Sequence, residues 1–583
     1  MRNISDADRV LEGRSMISNI LDIDFAARII SLTSRTGVMI FFDCKAAFPS
    51  VSHDMLWDTL LIGGIDTKFI QVLKHFYNEN RHILKLNGDF FPGVHVRSGV
   101  RQGCPLSGIL FAMCVDVLLI KLQRVMRQGE DLRAFADDIG GVFGNYTIAL
   151  PILAVLFQEF QSISALQLNV KKTVLVPLWP ATDTKTLRVH IKECCAFWKD
   201  IVIDSHCKYL GFVLGPGAGG LSWSKPLAKF EKAVAQWSSL KLGLFLNTLA
   251  YNVYMVTLLE YVAQLLRVDD RVVIAEQWAL RKLAPGPGMW IMPADLENLT
   301  VLGHPMALRS IVHTAMASKL RICATIARDS RRRHRELDNV LLDNLRRPLG
   351  DWHSQSLYSI LEANRAALQD HGITVASVRA DPSCAGRKQD AYFQRAARAM
   401  IQATIAPFNA ENRIRHKLER WNLSGPPAHL ARRACLNFTL VQDCCRPCVA
   451  SAYLRTLWNG WPTTHRMRTL QGTVVIGCVF GCQTAVDRIE HYAVCPAVWA
   501  FLQKGRPSGL GIDRRLRSLQ GLLLLEKGMN RTEKLAMAIG VYALARSVAQ
   551  ARSSTSAIQA DRLLSLHARE GLRGSKARRE LAM

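Results

Sequence analysis

The 583-residue chain is long enough for several domains, taking a soft prior of about 150 residues for each. Hydrophobic residues make up 49% and aromatics 8%, which excludes a wholly disordered chain. Lys and Arg outnumber Asp and Glu by 26. Such a chain repels itself unless it meets a polyanion, so nucleic acid is the first partner to consider, an anionic membrane surface the second, and a merely cationic soluble protein the bland alternative. No uncharged apolar run reaches the roughly 18 residues of a membrane span, and Met1-Arg2-Asn3-Ile4-Ser5-Asp6 lacks an apolar export region. The expectation is no membrane partner, an intracellular site of action, and fifteen cysteines that are reduced thiols or metal ligands.

In chain order, Val38-Met39-Ile40-Phe41-Phe42 is an apolar run of strand length, suited to a strand buried on both faces, and it ends at Asp43. Ser52 is a candidate N-cap for a helix that carries Leu56 and Leu60 and stops at Gly63-Gly64. Ile83–Leu86, Asn87-Gly88 and Phe90-Phe91 predict a hairpin. Pro105-Leu106-Ser107 opens a long apolar helix to about Val125, and Phe135–Phe143 reads as a second hairpin with two aspartates near its tip. From about residue 222 the spacing is helical, with an arginine run at Arg331-Arg332-Arg333-His334-Arg335, a cysteine-rich patch over 435–495 and a basic tail. The pattern is α+β in front and α behind.

Asp43 closes a buried strand, and Asp137-Asp138 sit inside the apolar context Phe135-Ala136-Asp137-Asp138-Ile139-Gly140. Carboxylates in such places are costly unless they are paired or hold a cation. If the two strands are neighbours, the carboxylates converge, and hard oxygen donors of this kind suit Mg²⁺. Taken alone, an Asp-Asp pair reads better as a turn and a lone Asp as a helix cap.

The surroundings carry a resemblance. Phe41-Phe42-Asp43-Cys44-Lys45-Ala46-Ala47-Phe48-Pro49-Ser50-Val51 looks like motif A of reverse transcriptases. Gly99-Val100-Arg101-Gln102-Gly103-Cys104-Pro105-Leu106-Ser107 resembles motif B, Phe135-Ala136-Asp137-Asp138 motif C, and Leu168-Asn169-Val170-Lys171-Lys172-Thr173 motif D. Lys208-Tyr209-Leu210-Gly211 is similar to motif E, the primer grip. The wording of motif B, the closing Lys-Tyr-Leu-Gly, and the upstream Glu12-Gly13-Arg14-Ser15 with Asn19-Ile20 resemble the non-LTR (LINE-type) retrotransposon branch. The resemblance covers about residues 8–265 well and the rest more loosely.

The resemblance implies an RNA-directed DNA polymerase that copies an RNA template from a DNA primer or target DNA with dNTPs. Asp43, Asp137 and Asp138 would be catalytic and hold two Mg²⁺. Phe48 would be the ring that rejects a 2′-hydroxyl, and Gln102 and Gly103 would lie along nucleotide and template. Lys172 would approach the triphosphate, and Tyr209, Leu210 and Gly211 would form the primer grip. Arg101 could meet template phosphate or be an ordinary surface arginine. Alternatives are core packing for Phe48 and a solvated lysine at Lys172. The family resemblance also favours the nucleus.

Cys478-x3-Cys482-x8-His491-x3-Cys495 offers three thiolates and an imidazole, a set suited to one structural Zn²⁺. Val474-Val475-Ile476 would precede it as a strand, and Ile489–Tyr492 reads as a helix start. The ending Glu490-His491…Cys495-Pro496 resembles the Cys-Cys-His-Cys segment behind the polymerase of many non-LTR elements. Cys435, Cys444, Cys445 and Cys448 read better as buried thiols.

The expected architecture is a right-hand polymerase palm with partial fingers, a helical thumb and a mostly helical C-terminal half with a small zinc knuckle. Its expected divisions are partial fingers at 1–35, palm at 36–221, thumb at 222–300, a basic helical connector at 301–434, the cysteine-rich segment at 435–500 and a basic helical tail at 501–583. The chain starts too late to hold the full finger motifs, and it shows no endonuclease or RNase H pattern. Two rivals stand beside the polymerase reading: a non-catalytic remnant that binds RNA or DNA, and a primer-dependent RNA polymerase, against which Phe48 argues.

Overall fold

In the computed structural model, residues 15–78, 80–179, 182–344, 352, 355–384, 390–467, 477–482, 485–504, 509–553 and 560–581 are described. Glu12, Gly13 and Arg14 and the expected strand at Val474–Ile476 lie outside them. The chain divides into two compact units, one of residues 1–225 with 322–367 and the other of residues 226–321 with 368–583.

The first unit runs α1 (Met16–Thr33), β1 (Val38–Phe42), α2 (Ala47–Ser50), α3 (His53–Ile62), α4 (Thr67–Tyr77), β2 (Arg81–Leu86), β3 (Asp89–His95), α5 (Ser107–Val125), β4 (Asp131–Phe135), β5 (Asp138–Phe143), α6 (Tyr146–Ser164), β6 (Val174–Pro177), α7 (Thr184–Cys194), β7 (Val202–Ile203), β8 (Cys207–Tyr209) and β9 (Phe212–Leu214). The main sheet has the order β4-β5-β1-β6-β7, antiparallel except for the β6–β7 pair. β1 lies at its centre with all five residues buried, as its unbroken apolar run requires. Its pleat sends alternate rings to opposite faces. Phe42 packs on Phe157 of α6 at 4.6 Å and near Trp198 at 6.1 Å, while Phe41 meets Tyr209 of β8 at 5.1 Å between centroids. Ser52 caps α3 by accepting the Met55 N–H, and Asn87-Gly88 turn the β2–β3 hairpin with positive φ at both residues.

Among the described residues, α6 alone is long and apolar enough to cross a membrane. Its Leu150, Leu153, Ala154, Phe157 and Phe160 are buried in the core of this unit.

The stretch 322–367, placed by spacing alone in a connector, belongs to the first unit. Within it, the helix Ala327–Asp343 brings Arg333 onto Asp22 of α1 and over the rings of Phe25 and Tyr358, at 5.2 and 5.9 Å. One arginine of the basic run is therefore structural, whereas Arg331, Arg332 and Arg335 are exposed.

The second unit is helical in its described residues. After the start of its first helix (Ser224–Ser239) come Leu244–Ala250, a π-helical turn at Tyr251–Met255, Thr257–Ala263 and Asp270–Leu283. Buried Glu276 accepts the Tyr251 hydroxyl at 2.8 Å and the Ile311 N–H at 3.0 Å, which satisfies a carboxyl that burial has pushed up in pKa. The long helix Arg531–Ser553 packs against Pro447–Leu457 and Ala560–Leu572.

Candidate active site and metal centre

Register brings the acidic residues together. Phe42 pairs with Ile139 and Phe135 with Asp138, so Asp43 leaves β1 beside the two-residue turn Ala136-Asp137 and the first residue of β5. The turn is tight enough to hold Ala136 at φ 54°. Gly140 is small for a reason: a Cβ there would lie 3.0 Å from the Phe41 ring and 3.3 Å from the Tyr209 ring. Asp137 and Asp138 are exposed and Asp43 half-buried. The Asp138 carboxyl is held above the usual range, first by burial, then by the charges of Asp137 and Asp43, with Lys208 opposing. The same two aspartates, after burial, push the neighbouring Cys44 thiol up to about 12. Three carboxylates thus lie close enough to repel one another, with Lys208 opposing at Asp138, a hard donor set that fits a divalent cation. They form a looser group than the cysteine site described below. Among the described residues, only that site gathers three or more ligand atoms within 4.8 Å of one another.

Asp43 is clamped from both sides. Its carbonyl accepts the Asn169 N–H at 2.7 Å, and its N–H donates to Thr173 Oγ1 at 3.4 Å. The Asn169 carbonyl in turn accepts the N–H groups of Lys172 and Thr173 at 3.0 and 2.9 Å. This turn ties Lys172 to the backbone of Asp43 and leaves its side chain exposed.

Phe48 is partly buried, stacked on Phe111 of α5 at 4.4 Å and 13° between planes. Its carbonyl accepts the Val100 N–H at 2.8 Å, and Gly99 donates to the Val51 carbonyl at 2.7 Å, so the loop bearing Gln102 and Gly103 is zipped to the segment after Asp43. Gln102 and Gly103 are exposed, with Gly103 at φ 87° and open space on its Cβ side. Arg101 is turned away, bonding the Phe76 carbonyl and lying over the Tyr77 ring at 5.4 Å. Leu210 and Gly211, at φ 45° and 91°, form the tip of the β8–β9 hairpin. Tyr209 lies beneath them, 3% exposed, its hydroxyl bonding the Arg133 carbonyl at 3.2 Å.

Sequence reasoning assigned no role to Asn19. Its Nδ2 donates to the Ala134 carbonyl at 2.9 Å, three residues before Asp137, and its side chain also bonds Tyr209. Asn19 therefore positions the strand that carries the aspartates. Its place in the Asn19-Ile20 segment was the available signal.

The second centre is compact. The Cys495 Sγ lies 3.9 Å from Cys478 Sγ and 3.7 Å from Cys482 Sγ, and all four ligand atoms with His491 fall within 4.8 Å. Sulfurs on a tetrahedral Zn²⁺, with bonds of about 2.3 Å, stand roughly 3.8 Å apart. The local fold makes this set: a turn through Gly481 (φ 89°), the Phe480 N–H donating to Cys478 Sγ at 3.4 Å, and His491 on the helix Ile489–Tyr492. His491 Nε2 is enclosed without a hydrogen-bond partner among the described residues. The Cys495 contact pulls the Cys478 thiol down to about 5, against burial, while Cys495 is pushed up, as sulfurs crowded together share protons. These features fit a metal site. By contrast, Cys444 bonds Glu580 and Arg531, and Cys435, Cys444, Cys445 and Cys448 form no such group among the described residues.

Residues 5–214 match the family described as reverse transcriptase (RNA-dependent DNA polymerase). The Transposon TX1 149 kDa protein of Xenopus laevis is 29% identical over 145 residues, which is 23% of this chain and 11% of that protein. The Pol polyprotein of the type-2 retrotransposable element R2DM of Drosophila melanogaster is 31% identical over 169 residues, 27% of this chain and 15% of that protein. Among solved structures, apo telomerase from Candida tropicalis aligns with TM-score 0.31 and 13% identity over 65% of this chain and 57% of that one. The similarity to reverse transcriptases is carried by residues 5–214, and the sequence relatives are proteins of a transposon and a retrotransposable element. The matched stretch spans well under two thirds of those relatives' length.

Proposed function

We propose that this chain is an RNA-directed DNA polymerase, adding dNTPs to a primer 3′-end along an RNA template. The observation that carries the reading is the β1–β5 register, which sets Asp43 beside the Asp137-Asp138 turn within the reverse transcriptase match. Asp43, Asp137 and Asp138 would hold two Mg²⁺. Bound there, divalent metal would supply Lewis-acid activation of a 3′-hydroxyl and charge neutralisation at the leaving pyrophosphate. The protein's own groups do the rest. Lys172, fixed to the backbone of Asp43, meets triphosphate charge. The Phe48 ring, braced by Phe111, blocks a 2′-hydroxyl. The exposed loop at Gln102 and Gly103 lets template and nucleotide approach the backbone, and the Leu210-Gly211 tip seats the primer end. Cys478, Cys482, His491 and Cys495 would hold one Zn²⁺ as a structural centre.

The test is primer extension on an RNA template with Mg²⁺, parent against Asp137→Ala, with dNTPs against NTPs. The parent is expected to incorporate dNTPs, and the variant to lose about a thousandfold or more. Binding of primer-template without extension by either protein would instead favour the non-catalytic remnant.

A further inference from the structure

The four ligands of the cysteine centre come from two arms, a turn that bears Cys478 and Cys482 and a short helix that bears His491, with Cys495 just past its end. Backbone pairing joins the arms at the bridge between Gly477 and Val486. A side chain joins them as well. Tyr492, next to His491, is wholly buried. Its hydroxyl accepts the Val479 N–H, next to Cys478, at a long 3.4 Å and donates to Asp487 at 2.6 Å. One hydroxyl therefore reaches the turn that carries two sulfurs, while its own backbone carries the imidazole. Its ring is held on two sides, by Phe480 edge-on at 5.9 Å and by Trp461 tilted at 6.0 Å.

Asp487, also wholly buried, fixes that hydroxyl from below. Its Oδ1 accepts Tyr492, and its Oδ2 accepts the Thr464 N–H and the Thr464 hydroxyl, both at 2.7 Å, and pairs with the Arg552 guanidinium. The Asp487 carbonyl accepts the His465 N–H at 3.3 Å. A buried carboxylate is tolerated when it is paired and its oxygens are hydrogen-bonded, and both conditions are met here. Thr464 opens the helix Thr464–Met467, and Arg552 stands near the C-terminal end of the helix Arg531–Ser553. Asp487 thus ties the Tyr492 hydroxyl to two elements that carry no metal ligand.

We infer that Tyr492, held by Asp487, is the positioning residue of the metal centre, and that Arg552 links the centre to the long helix. The inference rests on the metal reading of Cys478, Cys482, His491 and Cys495. With the Tyr492 hydroxyl holding the Cys478 turn beside His491, less of the binding free energy goes into ordering the ligands. Coupling between two such places is reciprocal. Loosening the Arg552 end of the helix weakens metal binding, and removing metal loosens that end of the helix.

The experiment is a metal titration of the full chain with Co²⁺, followed by its visible absorption, and then displacement by Zn²⁺, beside a melt of the metal-free protein. Tyr492→Phe keeps the ring and all four ligands and loses the hydroxyl alone. It should weaken Zn²⁺ by about 10–100-fold, the usual loss when an outer partner of the ligands is removed. Tyr453→Phe is the control: its hydroxyl, equally buried, bonds the Leu523 carbonyl at 3.1 Å and should leave Zn²⁺ affinity unchanged. Arg552→Gln should weaken Zn²⁺ by at least about fivefold, and chelation of the parent should raise hydrogen exchange over residues 546–552. Unchanged Zn²⁺ affinity in Tyr492→Phe, even with a lower melting temperature, makes Tyr492 ordinary core packing and overturns the inference, as does an equal loss in Tyr453→Phe. Unchanged affinity in Arg552→Gln overturns the link to the helix. A parent that takes up neither Co²⁺ nor Zn²⁺ overturns the metal reading itself and the inference with it.

Discussion

Two glycines in the loop before α5 look alike in sequence but do different work. Gly99 and Gly103 both have positive φ, at 83° and 87°. A Cβ on Gly99 would lie 2.5 Å from Pro49 Cα, whereas one on Gly103 would meet nothing within 4 Å. Gly103→Ala should therefore cost only the left-handed penalty, about 1–2 kcal/mol. Gly99→Ala adds a backbone overlap that can be relieved only by breaking its bond to Val51, so about 3 kcal/mol or more is expected. Urea melts of the two variants check this; equal losses would show that the loop and the Phe48 segment are not locked together. Extension kinetics should order the variants differently, because Gly103 sits where nucleotide and template are proposed to pass. The resemblance to motif B placed Gly103 along nucleotide and template. It had no way to show Gly99's contact, which depends on a backbone fifty residues earlier.

At the scale of elements, the legible parts are those whose signal is local. β1, the Asn87-Gly88 hairpin, the Ser52-capped α3 and α5 all follow from period, turn residues and caps within a few positions. The aspartate hairpin was legible too, though its first strand starts earlier, at Asp131, than the apolar pattern suggested. What could not be read depends on partners far along the chain. The two-residue β7 exists because β6 pairs with it, and the packing of Tyr209 on the Phe41 ring depends on a strand far earlier in the chain. The cysteine spacing was legible because metal ligands recur at short intervals, and the sulfur separations of 3.7 and 3.9 Å agree with it. Apart from the core-packed helix Pro496–Gln503 that follows Cys495, the described elements around it are very short, a four-residue helix and a single bridge between Gly477 and Val486, too little to hold themselves together. Metal should therefore supply the folding energy of this element. Purified protein is expected to carry one zinc per chain by elemental analysis. Cys482→Ser should lose it, and hydrogen exchange over residues 485–495 should rise sharply in that variant or on chelation. Metal-free protein with unchanged exchange there would remove the structural role.

At the scale of the whole molecule, the first unit is not contiguous in sequence. The residues 322–367 return to α1, and the join is polar as well as apolar. Asp24 and Arg28 are buried, 2.8 Å apart, and Asp24 also accepts the Leu357 N–H at 3.1 Å. Arg28 reaches the Trp352 carbonyl and ring, and Phe25 meets Tyr358 edge-on at 5.9 Å. α1 in turn holds β4 through Asn19 and through the 3.0 Å Asp22–Arg133 pair. The support of the aspartate hairpin thus runs through a segment far downstream in the chain. A fragment ending at residue 225 exposes the Asp24–Arg28 pair and the apolar side of α1 to water, and leaves Asp24 without the Leu357 N–H and Arg28 without Trp352. Residues 1–225 alone should be poorly soluble or melt without a cooperative transition, and the same residues joined to 322–367 by a flexible linker should melt cooperatively. Asp24→Ala in the joined form should undo much of that gain. If the short fragment melts as sharply and at the same temperature as the joined one, the returning segment is merely docked on the unit, and the aspartate hairpin stands without it.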